Sequence, residues 1–95
     1  MSSNEQSLKN VIGNYLKSSR LSGKLAEQKV IDGWAARMGP IIAKHTKEIS
    51  IQDKKLFLHI DSAPLRQELF YSRENIIKML NEEAGEVVIR EIILR

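Results

Sequence analysis

Residues 34–46 of this chain read WAARMGPIIAKHT, and this stretch divides the sequence into its structural elements. Gly39 followed by Pro40 predicts the end of one helix and the start of another, because glycine favours the position after a helix and proline favours a first helical turn. Trp34 lies in helical phase with apolar neighbours, so the pattern predicts a core position for the indole. Thr46 is expected to begin a strand.

Two helices are predicted before Gly39. The first would be capped by Ser7. Its apolar stripe consists of Leu8, Val11, Ile12, Tyr15 and Leu16. The second would follow a connection over residues 20–23, with Ser22 as its N-cap. Its buried stripe is predicted to be Leu25, Val30, Ile31, Trp34 and Met38. Gly33 lies inside this helix, where glycine costs about 1 kcal/mol relative to alanine, so we expect another backbone to pack closely there.

Apolar and polar residues alternate over residues 48–52 and 55–61, and this period of two predicts a β-hairpin. Asp53 and Lys54 would form the turn. The face of the hairpin that is expected to be buried carries Ile49, Ile51, Leu56, Leu58 and Ile60.

A third helix is predicted after the hairpin, with Ser62 as its N-cap and Pro64 in its first turn. Its core stripe is Leu65, Leu69, Ile76, Ile77 and Leu80. Residues 71–73 are expected to split it in two, and Gly85 to end the helical region. Residues 87–94 predict a last strand, which is covered on both sides, paired centrally or buried by a second copy. The fold class is therefore α+β, a small three-stranded sheet with helices packed on one face.

The composition indicates one domain over residues 1–95, of which residues 1–6 are expected to be disordered. Cysteine is absent, which excludes disulfides, thiolate metal sites and cysteine nucleophiles. No apolar run approaches the roughly 20 residues of a membrane span, and no signal peptide is recognisable, so a cytoplasmic protein without membrane association is predicted.

Charge is distributed unevenly along the chain. Residues 1–60 carry ten basic and five acidic side chains, whereas residues 61–95 carry five basic and seven acidic ones. This asymmetry indicates a surface for a polyanion, although ordinary scatter of surface charge is the alternative. The candidate nucleic-acid-binding residues are Lys29, Arg37, Lys44, Lys47, Lys54, Lys55 and Phe57. Phe57 points away from the buried face of the hairpin and would offer a stacking plane for a base, unless the first helix or a dimer partner covers it.

The residues do not favour catalysis, a metal or a cofactor. His45 and His59 have no histidine or acidic partner at ligand spacing, and His45 is expected instead to bond the last carbonyls of the helix before Thr46. No serine stands in a glycine-flanked elbow and there is no phosphate-binding glycine loop, so neither nucleophilic catalysis nor ATP hydrolysis is predicted. We expect a protein that is not an enzyme.

An ordered set of residues gives the chain a resemblance to a known family. The set comprises Trp34 with Gly39-Pro40, His45-Thr46, the strand over residues 56–60, Ser62-Ala63, Leu69, Leu80-Asn81 and the strand over residues 87–95. In these features residues 8–95 resemble the DciA family, the bacterial replicative-helicase operators. The resemblance implies a type II KH-like fold with an extra N-terminal helix, and a non-enzymatic accessory of DNA replication that binds single- or double-stranded DNA and the replicative helicase. The chain departs from the family in lacking a glycine in the hairpin turn and a tryptophan near Leu65.

Two other functions stay open from the residues. KH domains clamp nucleic acid with a GXXG loop between two helices, and the corresponding residues 71–74 contain no glycine, so any nucleic acid would bind another surface. An RNA-binding KH-like module is one alternative. A protein adaptor or homodimer that binds no nucleic acid is the other.

Overall fold

The computed structural model describes residues 20–95, and the predictions for the first helix and the polar start of the chain lie outside these residues. The helices are α1 (Arg20–Met38), α2 (Pro40–His45), α3 (Ala63–Tyr71) and α4 (Arg73–Ala84), and the strands are β1 (Thr46–Gln52), β2 (Lys55–Ile60) and β3 (Glu91–Leu94). Along the chain the order is α1, α2, β1, β2, α3, α4, β3. The predicted α+β class with a three-stranded sheet is confirmed, and the order is compatible with the expected KH-like arrangement.

Helix α1 differs from its prediction at its N-terminal end. Residues 20–23 are helical and not a connection, and Ser22 therefore lies within the helix instead of capping it. Serine and glycine each destabilise a helix by at most about 1 kcal/mol relative to alanine. This cost is too small to end a helix that continues on the C-terminal side.

The buried stripe of α1 is Ala26, Val30 and Trp34, spaced by four residues. Ile31 and Met38 pack against this core as predicted, but Leu25 is 56% exposed, so its predicted burial is wrong. The four-residue spacing selects Ala26 and leaves Leu25 about 100° away around the helix axis. Among residues 20–95, a Cβ added at Gly33 would meet nothing within 4 Å, so no described backbone packs closely there; the predicted first helix, the other candidate neighbour, lies outside these residues.

The segment between α1 and β1 is held by a chain of hydrogen bonds. Gly39 has φ 92°, a conformation that favours glycine, and Pro40 begins α2 as predicted. The indole Nε1 of Trp34 donates to the hydroxyl of Thr46 at 3.1 Å, and this hydroxyl donates to the carbonyl of Ile42 at 2.7 Å. The side chain that bonds the end of α2 is therefore that of Thr46, and the capping role predicted for the preceding histidine is wrong.

His45 contacts the end of β2 instead. Its Nδ1 lies 2.6 Å from Oδ1 of Asp61, and the backbone amide of Asp61 donates to the carbonyl of His45. Lys47 Nζ lies 3.4 Å from the other carboxylate oxygen. The hydrogen bond from His45 is the main cause that lowers the pKa of the Asp61 carboxyl below 3.8; desolvation opposes it, and the contact with Lys47 lowers the pKa further. These contacts join the start of β1 to the end of β2 at the open end of the hairpin.

The sheet has the strand order β1-β2-β3, with β1 and β2 antiparallel and β2 and β3 parallel. Its inner face is covered by the helices. The core contains Ile51, Leu56, Leu58 and Ile60 of the hairpin with Val30 and Trp34 of α1, Leu69 of α3 and Ile76 and Leu80 of α4. Ile49 is half-buried. The predicted buried face of the hairpin is thus confirmed, and helices pack on one face as expected.

Helices α3 and α4 follow their predicted boundaries. The Ser62 hydroxyl accepts from the backbone amide of Leu65 at 3.4 Å, and proline stands in the first turn. The predicted split is confirmed at Ser72, between the two helices. Gly85 ends α4 in the left-handed region with φ 79°.

The last strand is shorter than predicted, because β3 begins at Glu91 and lies at one edge of the sheet. Val88 and Ile89 are buried without belonging to the strand. Their backbone bonds go to the side chain of Asn81, whose Oδ1 accepts from the amides of Val88 and Ile89 at 2.9 and 3.0 Å and whose Nδ2 donates to the carbonyl of Ile89 at 2.8 Å. A side chain therefore replaces the sheet ladder along this segment, and the alternative of a central strand is wrong.

Candidate nucleic-acid interface

The outer face of the sheet is not covered by any helix of residues 20–95. Successive residues of a strand point to opposite faces, so the neighbours of the buried Leu56 and Leu58 point outward. Phe57 lies between Ser50 of β1 and Ile93 of β3 in the register of the sheet. These three side chains form the middle row of the outer face, and the Phe57 ring is half-buried among them.

Arg95 completes the surroundings of the Phe57 ring. Its guanidinium carbon lies 5.2 Å from the ring centroid, within the range of a cation–π interaction. The backbone of Arg95 is bonded on both sides to β2, because its amide donates to Leu58 and its carbonyl accepts from Ile60. The strand pairing thus places a cation above an aromatic plane. A shallow depression surrounds the pair, lined by Glu48, Ser50, Gln52, Phe57, Leu58, His59 and Arg95.

Lys55 stands two residues before Phe57 on the same face. It pairs with Gln52 of β1 and with Glu91 of β3, and its side chain is exposed. His59 lies two residues after Phe57, opposite Glu48. The outer face therefore has one aromatic ring, that of Phe57, with two cations near it, Lys55 and Arg95. The carboxylates of Glu48 and Glu91 limit its net positive charge.

Lys54 occupies the hairpin turn and is engaged within the fold. Asp53 and Lys54 have φ values of 52° and 62°, so the two-residue turn has both central residues in the left-handed region. The ammonium of Lys54 donates to the carbonyl of Val87 at 2.7 Å, and its backbone carbonyl accepts from Arg90 at 2.7 Å. This residue ties the turn to the segment before β3, so reversing its charge would disturb the fold as well as any binding.

The remaining predicted residues lie elsewhere. Lys44 is exposed in the last turn of α2, and Lys47 stands at the irregularity of register in β1, where its ammonium faces Asp61. Lys29 and Arg37 border a groove between α1 and α4, on the helical side of the sheet. Arg37 forms an ion pair with Glu83 across this groove.

The structure thus brings together two of the seven predicted residues, Lys55 and Phe57, on the outer face of the sheet. Arg95 and His59 also line this face but were not among the seven predicted residues. Both were detectable in principle, because alternation along β2 places His59 on the same face as Phe57. Arg95 required the pairing of β3 with β2, which local patterns do not reveal.

The described residues contain no group of three histidine, cysteine or acidic side chains arranged for a metal ion. Among the helices of residues 20–95, none is both long and apolar enough to cross a bilayer.

Comparison with known proteins connects this fold to one family. A family model described as "Dna[CI] antecedent, DciA" matches residues 7–94. The chain is also similar to the "UPF0232 protein" of Corynebacterium glutamicum (strain R), with 29% identity over 87 residues. The match covers 92% of this chain and 49% of that relative, so the chain spans about half the length of the curated relative. Because the family match extends over nearly the whole sequence, the chain belongs to the DciA family.

Proposed function

We propose that this domain is a non-enzymatic accessory of DNA replication that binds nucleic acid and associates with the replicative helicase. Membership of the DciA family is the observation that carries the proposal, because this family implies an association with the replicative helicase.

The outer face of the sheet supports the nucleic-acid part of this proposal. Single strands bind by stacking their bases on aromatic rings and by contacts of phosphates with nearby cations. Phe57 supplies the ring, while Arg95 and Lys55 supply cations on either side of it along the face. Stacking contributes about 1 to 3 kcal/mol per base and depends little on the base, which suits a protein that must act at many sequences. Lys29, Arg37, Lys44, Lys47 and Lys54 stay predicted contributors outside this face.

The experiment is fluorescence anisotropy with a labelled single-stranded oligonucleotide. We expect Phe57→Ala to weaken binding by about tenfold, the loss of one stacked base, and Lys55→Glu to weaken binding and to reduce the slope of log affinity against log salt by about 0.7, the value of one phosphate contact on a single strand. Lys78→Glu is the matched control, because Lys78 is exposed on α4. It has the same change of charge and should retain more of the affinity than Lys55→Glu.

If Lys55→Glu and Lys78→Glu weaken oligonucleotide binding equally, the affinity depends only on net charge, and the outer face is not the interface. Competition with RNA of the same sequence separates the proposed function from the alternative of an RNA-binding module, which would prefer the RNA. Absence of binding to either nucleic acid at low salt would favour the protein adaptor.

A further inference from the structure

The joint between α3 and α4 carries an exposed pair of aromatic side chains. Phe70 is 49% exposed and Tyr71 is 72% exposed. The other large apolar side chains that are exposed among the described residues are Leu25, Ile41 and Val87. Isolated exposed residues of that kind are normal on protein surfaces, whereas adjacent aromatic residues are concentrated at the centres of binding sites. The pair is therefore the strongest apolar feature of the described surface.

These side chains are held in place by their neighbours. The ring centroids of Phe70 and Tyr71 lie 6.2 Å apart with the ring planes inclined at 62°, an edge-to-face arrangement. Gln67 donates to the hydroxyl of Tyr71 at 3.1 Å. The guanidinium of Arg73 lies 4.0 Å from the Phe70 centroid and donates to the Phe70 carbonyl at 2.7 Å. Because the side chains are already ordered, a partner would have little conformational entropy to remove. We refer to Phe70, Tyr71 and Arg73 as the aromatic cluster.

The charges next to the aromatic cluster indicate the kind of partner. Glu68 lies one helical turn before Tyr71, and Glu74 lies in the first turn of α4; both are exposed. The charge of Arg73 is directed toward the Phe70 ring and carbonyl. Two exposed carboxylates beside one engaged cation disfavour a phosphate backbone. They favour a protein surface with an apolar pocket bordered by basic side chains, since an aromatic centre with a polar border is typical of protein interfaces.

We infer that the aromatic cluster is the surface by which this domain contacts a partner protein of that chemistry, and, resting on the proposed function, that this partner is the replicative helicase. The cluster belongs to the helices that cover the inner face of the sheet, whereas Phe57 lies on the outer face. The domain can then hold nucleic acid on one face while the helicase occupies the other side.

The test measures the affinity of the purified domain for the purified replicative helicase by biolayer interferometry, together with its affinity for a single-stranded oligonucleotide. We expect Tyr71→Ala and Phe70→Ala each to weaken helicase binding by about 30-fold, the loss that a hot-spot aromatic gives, and to leave oligonucleotide affinity within about twofold. Ile41→Ala is the control, because Ile41 is 67% exposed and lies on α2. It should change neither affinity. Replacing Glu68 and Glu74 together by lysine should slow helicase association, because the inferred pocket has a basic border, and an unchanged association rate would contradict that border.

The outcomes separate the two proposals. If the unmodified domain binds no helicase, the proposed function fails and this inference fails with it. If helicase binding is intact in Tyr71→Ala and Phe70→Ala, the inference alone is wrong. Loss of oligonucleotide affinity in these variants would instead assign the cluster to nucleic acid. A dimer detected by light scattering that Tyr71→Ala converts to a monomer would assign it to a second copy of the chain.

Discussion

Replacement of Asn81 by alanine tests whether one side chain holds the segment that leads into β3. This amide makes three hydrogen bonds to the backbone of Val88 and Ile89, and these two residues are 4% and 0% exposed, so water cannot easily replace it. Each lost bond costs about 1 kcal/mol, or more where a buried group is left unpaired. The higher helix propensity of alanine returns about 0.6 kcal/mol. The free energy of unfolding should therefore fall by about 2 to 3 kcal/mol, which lowers Tm by about 10 °C or more in a domain of this size.

Urea denaturation followed by tryptophan fluorescence measures this loss, because the chain has a single tryptophan and Trp34 is buried. Asn75→Ala is the matched control, since Asn75 is an exposed asparagine on the same helix. It should stabilise the domain by at most about 0.6 kcal/mol, because only the higher helix propensity of alanine acts there. If Asn81→Ala and Asn75→Ala unfold at the same urea concentration with equal m-values, the bonds of Asn81 do not hold this segment and the reasoning is refuted.

Two further predictions concern the ends of the hairpin. Lys54→Gly should be more stable to urea than Lys54→Ala by about 1 kcal/mol, because both remove the ammonium that binds Val87 but only glycine adopts a φ of 62° without strain; equal stability would show that the turn is unstrained. Asp61→Asn should destabilise the domain at pH 7, because the pKa of this carboxyl is lowered in the folded state by the hydrogen bond from His45 and by its other contacts. The carboxylate contributes fully to the free energy of unfolding above its unfolded pKa near 3.8, and this contribution is lost as pH falls through the lower folded pKa. The difference in stability between Asp61→Asn and the unmodified protein should therefore vanish in acid. A difference that stays constant between pH 7 and pH 2 in urea titrations would contradict this.

Local sequence patterns predicted most of the described helices and strands, because these elements depend on residues that are only a few positions apart. Gly39 with Pro40 marked a helix boundary through their backbone preferences, and the alternation over the hairpin assigned its buried face. The exceptions arose where two local signals compete. Ser22 had the chemistry of an N-cap but stands inside a helix, and Leu25 had an apolar side chain but lies one position away from the stripe that meets the sheet.

The candidate interface was less accessible to the same reasoning. Lys55 and Phe57 were placed correctly on one outer face, since the period of a strand determines which side chains point together. Lys29 and Arg37 were grouped with them by charge, yet these residues border a groove on the helical side. Charge patterning reports that basic residues are numerous in a segment, and it contains no information about which face of the domain each one occupies.

Over residues 20–95, what the sequence determined by itself is the set of elements, their order and the division of the hairpin strands into a buried and an exposed face, because these follow from backbone preference and the periods of helix and strand. Tertiary structure alone decided that β3 pairs with β2 in parallel, that Arg95 lies over Phe57, and that Asn81 satisfies the backbone of Val88 and Ile89. Those contacts join residues brought together by the packing of α3 and α4 against the sheet. A short stretch of sequence does not reveal these contacts, because they depend on how separate segments of the chain pack together.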